Sequence, residues 1–124
     1  MLPKKKLPDA EFEVMKIIWS NPSPITTLEI MGKLSPVKKW KQQTVLTMLV
    51  RLTEKEFLQT SRIGRERNYT PIVREADYMQ IEIEGFADRY RGNSLGSLVK
   101  ALYDGDNLSE QEVVELRAWL ESRG

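Results

Sequence analysis

Cysteine and histidine are both absent from this 124-residue sequence. Thiol nucleophiles, disulfides, imidazole bases and the usual zinc ligands are therefore excluded together, and neither a metal nor a cofactor is expected. Long apolar runs are missing too: no stretch approaches the roughly 18 consecutive residues that a membrane span needs. Lys4, Lys5 and Lys6 open the chain, but no apolar run follows them, so they do not form a signal peptide. Read alone, they are either a flexible arm or a solvated tail. A cytoplasmic chain with no membrane insertion is the expectation. Internal repeats and low-complexity segments are also lacking. Acidic residues are plentiful, yet none falls in a recognisable catalytic motif, and the chain is not read as an enzyme.

What is present divides unevenly. Hydrophobic residues make up 40% and charged residues 30%, as in ordinary globular proteins. The length suits one domain, or a small domain with an oligomerisation segment. The formal net charge of +1 conceals an asymmetry. Residues 1–74 hold 14 Lys and Arg against 7 Asp and Glu, and residues 75–124 hold 5 against 11. A basic half joined to an acidic half suggests two tasks, and the basic half has the sign needed to attract polyanions.

Periodicity organises the basic half. A first helix over about 9–20 takes Asp9 as its N-cap and puts Phe12, Met15, Ile18 and Trp19 on one face. The prolines of segment 21–24 end it, and Ile25 follows as a short extended residue. Thr26 and Glu29 have capping-box spacing for a second helix with Leu28, Met31 and Leu34 on its apolar face. Ser35-Pro36 breaks that helix. A third helix over about 41–55 buries Val45, Met48, Leu49 and Leu52. Its other side carries Gln42, Gln43, Thr44, Leu46 and Thr47, a set suited to reading base edges in a major groove. Trp40, just before it, either braces this helix or meets the nucleic-acid backbone.

The period then changes to that of strands. Segment 57–63 reads as a strand, 64–67 as a turn and 68–71 as a returning strand. Short helices followed by a basic-tipped hairpin describe a winged helix-turn-helix over 1–74. Lys41, Arg51, Arg62, Arg65 and Arg67 are the expected phosphate contacts. Tyr69 either donates to phosphate or packs its ring on the third helix.

The acidic half, 75–124, reads as helical. A helix over 75–91 offers Tyr78, Ile81, Phe86 and Tyr90 for packing and breaks at Gly92-Asn93. A second runs over 94–103, and Ser109 with Glu112 caps a third. Leu95, Leu98, Val99, Leu102, Val113, Leu116 and Leu120 form an apolar set too large for so short a segment to bury alone. Pairing with a second copy solves this, and two-fold pairs suit palindromic DNA. The competing arrangement packs these residues back on the first helix. The fold class is thus mainly α with a small β-hairpin: a winged-helix N-terminal domain and a helical dimerisation domain.

Three segments together carry a family resemblance. Segment 11–19 (EFEVMKIIW) resembles the first helix of the penicillinase-repressor family, which includes the BlaI and MecI repressors. Segment 44–52 (TVLTMLVRL) resembles its recognition helix, and 108–116 (LSEQEVVEL) its last helix. The resemblance implies a homodimeric repressor of palindromic operators ahead of β-lactam resistance genes. It also implies release by proteolysis, triggered by a membrane-bound β-lactam sensor protease. Where the family often carries a cation, this chain has Gln43 and Leu46. Where the family has its scissile Asn-Phe pair, it has Ala101 and Leu102. Glu56 replaces the turn glycine after the third helix. Two other readings compete: a ligand-responsive regulator with a small-molecule pocket near Tyr78, Phe86 and Tyr90, and a protein-interaction adaptor on a winged-helix scaffold.

Overall fold

The computed structural model describes residues 5–36, 38–92 and 94–123. Lys4, Asn93 and the side chain of Leu95 lie outside the described residues. Helix α1 covers Asp9–Trp19. Its cap is Pro8, which makes no side-chain bond, rather than Asp9. Asp9 and Glu11 instead sit in the first turn, where the helix dipole favours negative charge. Val14, Met15 and Ile18 are buried. Phe12 and Trp19, expected on that same face, lie at its half-buried edge.

Strand β1 (Ile25–Thr26) leads directly into α2 (Thr27–Leu34). The capping box forms: Glu29 N donates to Thr26 Oγ1 and Thr26 N to Glu29 Oε1, each at 3.1 Å. The apolar face differs from the expected one. Ile30 and Leu34 are buried, Met31 is half-buried, and Leu28 is 67% exposed. The cause is helical phase: Ile30 and Leu34 are one turn apart on one face, and Leu28 lies across the helix from Ile30.

Helix α3 (Gln42–Glu54) buries the expected residues Val45, Met48, Leu49 and Leu52. Its end is tied by two backbone bonds, Phe57 N to Leu52 O at 2.9 Å and Glu56 N to Thr53 O at 3.1 Å. That is a Schellman closure, and Glu56 holds its left-handed position at φ 63°.

Strands β2 (Leu58–Ile63) and β3 (Glu66–Pro71) pair antiparallel, and β1 adds on the other side of β3 to give the order β1-β3-β2. The hairpin loop is shorter than the expected 64–67, because Glu66 already pairs with Ile63. Gly64, at φ 63°, takes the position that needs a left-handed backbone, as in two-residue loops of the II′ kind. The core between the helices and the sheet contains Leu7, Ile25, Phe57, Leu58 and Tyr69 besides the helix residues already named.

Helix α4 covers Glu75–Arg89, α5 Leu95–Asp104 and α6 Glu110–Arg123. The chain divides into two compact units between Phe86 and Ala87, twelve residues beyond the boundary read from the sequence. Tyr78 explains this. It is 1% exposed within the first unit, its ring lies 5.6 to 5.7 Å from those of Phe12, Trp19 and Phe57, and its hydroxyl accepts from Leu7 N at 2.7 Å. In the second unit the Ser109–Glu112 capping box forms, with bonds of 3.0 and 3.1 Å. Helix α5 closes through Asn107 N to Leu102 O at 2.9 Å. No helix among the described residues is long and apolar enough to cross a membrane.

Candidate nucleic-acid interface

Helix α3 presents two faces with different chemistry. The buried face anchors it in the core, and Gln42, Gln43, Thr44, Val50 and Arg51 are exposed on the rest. Leu46 and Thr47 are half-buried beside them. Gln43, Thr47 and Arg51 follow one another at i, i+4 spacing and therefore form a row along the helix. The Thr47 hydroxyl donates to Gln43 O at 3.0 Å, which leaves its oxygen available as an acceptor. Lys41 occupies the N-cap, without a side-chain bond, and the first turn carries no acid. The positive end of the α3 dipole thus stands without a neutralising carboxylate on its own helix.

The hairpin contributes the cations. Arg62 and Arg67 face one another across β2 and β3, and Arg65 sits at the tip. All three are exposed, and none forms an ion pair among the described residues. Hairpin and helix share one surface. A cleft of about 200 Å³ is lined by Gln42 and Leu46 of α3, Arg65 and Arg67 of the hairpin, and Thr27 and Leu28 of α2, with Glu66 also at its edge. Four of the expected contact positions thereby line one cleft, Gln42, Leu46, Arg65 and Arg67, and Gln43 follows Gln42 on the helix. Arg51 lies further along α3, and Arg62 is the cross-strand partner of Arg67.

Two residues that the sequence leaves with alternative roles are now located. Tyr69 is 3% exposed and pairs with Ile25 and Thr60 within the sheet. Its ring belongs to the core, in keeping with the packing alternative. Trp40 is half-buried against the core, with Lys38 Nζ 5.9 Å from its ring centre. It braces the segment entering α3. Leu28 was missed as a surface residue. The capping box at Thr26 marks where α2 starts, and with that start fixed the phase of Ile30 and Leu34 leaves Leu28 outside.

In the second unit, Leu98, Val113 and Leu116 are half-buried, and Val99, Leu102 and Leu120 are exposed. Ala101 and Leu102 both lie exposed within α5. A pocket beside Tyr78 on the first unit is lined with it by Phe12, Trp19, Glu75, Met79, Glu82 and Ile83. Phe86 and Tyr90 take no part in it.

The winged-helix order and this surface have counterparts of known kind. A penicillinase repressor of Bacillus licheniformis is 40% identical over 94% of this chain and 93% of its own length. The methicillin resistance regulatory protein MecI of Staphylococcus aureus (strain N315) is 28% identical, over 90% of each chain. A solution structure of monomeric BlaI from Bacillus licheniformis, in complex with the blaP half-operator, superposes with a TM-score of 0.53. It is 42% identical and covers 63% of this chain and 94% of that one. The family model described as penicillinase repressor matches residues 7–122. With the family model matching residues 7–122 and a penicillinase repressor 40% identical over 94% of its length, this chain belongs to the penicillinase repressor family.

Proposed function

We propose that the chain is a homodimeric transcriptional repressor that binds palindromic operator DNA. The observation that carries this is the shared cleft, which brings Gln42 and Leu46 of α3 beside Arg65 and Arg67 of the wing. A polar helix face flanked by arginines that form no ion pair among the described residues has the two parts that DNA recognition needs. The arginines, with Lys41 and Arg51, neutralise phosphates and set the register; Gln42, Gln43, Thr44, Leu46 and Thr47 meet base edges. Glutamine at position 43 favours adenine contacts over guanine, and Leu46 offers an apolar surface to a thymine methyl. The base sequence this helix prefers therefore differs from one read by cations at those two positions.

The second unit supplies the dimer through Leu98, Val99, Leu102, Val113, Leu116 and Leu120, with Leu95 on the same helix. Exposed apolar residues on α5 and α6 support an interface with a second copy. The genes controlled are those of β-lactam resistance, and release follows cleavage by a membrane sensor protease. Family membership supports both statements. The bond between Ala101 and Leu102 lies inside α5, so cleavage there requires local unwinding first.

Footprinting on the DNA upstream of the chain's own gene tests the function. A protected palindrome with two half-sites a whole number of helical turns apart is expected. Absence of any protected site at low salt overturns it. Sedimentation of wild type against Leu102→Arg tests the dimer, with a shift to monomer expected.

A further inference from the structure

Helix α3 and the hairpin do not close fully on one another. A cavity of about 420 Å³ remains between them, within the range of small-molecule sites. Its walls are apolar: Leu46, Leu49, Val50 and the Tyr69 ring. Thr53 also lines it, but its hydroxyl is already bonded to Leu49 O at 2.7 Å. Thr60 is different. Its Oγ1 is buried and has no hydrogen-bond partner among the described residues. Such an atom carries a desolvation cost that a bound polar group would remove.

Charge defines that group. Thr60 faces Tyr69 and Arg62 faces Arg67 across the hairpin, so strand alternation puts all four on one face of the sheet. Thr60, Tyr69 and Arg67 line the cavity, so this is the face toward α3. Two arginines directly opposite one another repel, and an anion beside Arg67, the member of the pair that lines the cavity, relieves the repulsion. Glu54 is the one carboxylate on the lining. It ends α3, and the chain then doubles back into β2, so Glu54 stands at the end of the cavity away from Arg67 and the hairpin tip. A second negative group on a ligand would meet it.

We infer that this cavity binds a small organic monoanion with an apolar body. The carboxylate accepts from Arg67 and from the Thr60 hydroxyl, with Arg62 adding to the field. The body, on the order of ten to fifteen heavy atoms for a cavity of this class, lies against Leu46, Leu49, Val50 and Tyr69. Leu46 and Arg67 also line the cleft assigned to DNA, so ligand and operator compete. That competition rests on the DNA-binding function proposed above; the site itself does not.

Calorimetry of the full chain without DNA tests the site, using 4-phenylbutyrate as probe. Saturable binding at one site per chain is expected, with 4-phenylbutanol and adipate both weaker. Arg67→Gln should weaken phenylbutyrate by about tenfold or more, and Thr60→Val by roughly three- to tenfold, with thermal melts confirming that both variants fold. No saturation, equal affinity for the alcohol, or unchanged affinity in both variants overturns the inference. In a gel shift, phenylbutyrate should release operator DNA from wild type at concentrations that leave Thr60→Val bound. A chain that binds DNA but not the probe overturns this inference alone. A chain that binds the probe but no DNA overturns the function proposed above.

Discussion

Glu11, buried on α1, accepts a hydrogen bond from Lys55 Nζ at 2.5 Å, which ties the first helix to the end of α3. The side chains are unequal: Glu11 is 5% exposed and Lys55 42%. Removing the lysine therefore leaves a carboxylate in the core, whereas removing the acid leaves an ammonium that water still reaches. Lys55→Met should lower stability by about 1–3 kcal/mol, less than for a fully buried pair because water screens the exposed partner. The double variant Glu11→Gln, Lys55→Met should recover much of that loss. Urea unfolding followed by far-ultraviolet circular dichroism measures both, and a double variant no better than the single would contradict the account.

Glu56 occupies the left-handed position of the α3 closure, at φ 63°. A non-glycine residue there costs roughly 1 kcal/mol. Glycine relieves that cost but adds freedom to the unfolded chain, worth about 0.4–1 kcal/mol. Glu56→Gly should therefore gain a few tenths of a kcal/mol at most, and Glu56→Val, whose branched side chain tolerates this backbone least, should lose about 1 kcal/mol or more. Thermal unfolding distinguishes them. Equal shifts for the two variants would show that the backbone does not govern this position.

Tyr78 gives the first unit an alkaline limit. Burial pushes its phenol above the ordinary value of 10.0; the bond from the Leu7 amide opposes this, and the Glu82 carboxylate reinforces it. The folded chain thus holds the phenolic proton more tightly than the unfolded chain. Its contribution is complete below pH 10 and is lost as pH rises through the raised folded value. Stability of wild type should fall above about pH 10, and Tyr78→Phe should fall less steeply there. The same variant should cost about 1 kcal/mol at neutral pH through the lost bond to Leu7. A pH series of urea midpoints for the two proteins measures this, and parallel curves above pH 10 would count against it.

Much of this architecture was legible where local signals agree. The α3 core set Val45, Met48, Leu49 and Leu52 follows helical period without interruption, and the capping boxes at Thr26 and Ser109 mark helix starts by chemistry alone. Legibility failed where tertiary packing decides. Nothing in the neighbours of Glu11 announces Lys55 44 residues later, so a charged first-turn residue reads as solvated. Tyr78 sits in an acidic, helical stretch and reads as part of the second domain; only its contacts with Phe12, Trp19 and Phe57 place it in the first. Tyr69 has strand neighbours that alternate, yet alternation cannot say which face is inward. For the interface, residue types on α3 and the hairpin were readable. Their meeting across one cleft, with Leu28 at its edge, depends on how the hairpin folds back.

The division of labour between helix α3 and the wing makes the last prediction. Arg51 and Arg65 are exposed and carry no ion pair among the described residues, so in the proposed complex each replaces counterions on phosphate. Arg51→Gln and Arg65→Gln should each weaken DNA binding on every sequence and reduce the slope of log K against log salt by about 0.9 per lost contact. Gln43 is neutral and displaces no counterion. Gln43→Ala should leave the slope unchanged and instead narrow the gap between operator and scrambled DNA, by about 1–3 kcal/mol if it makes a bidentate base contact. Fluorescence anisotropy over a salt series, on both DNAs, separates these outcomes. A change of slope for Gln43→Ala, or a change of specificity without one for Arg65→Gln, would reverse the roles given to helix and wing.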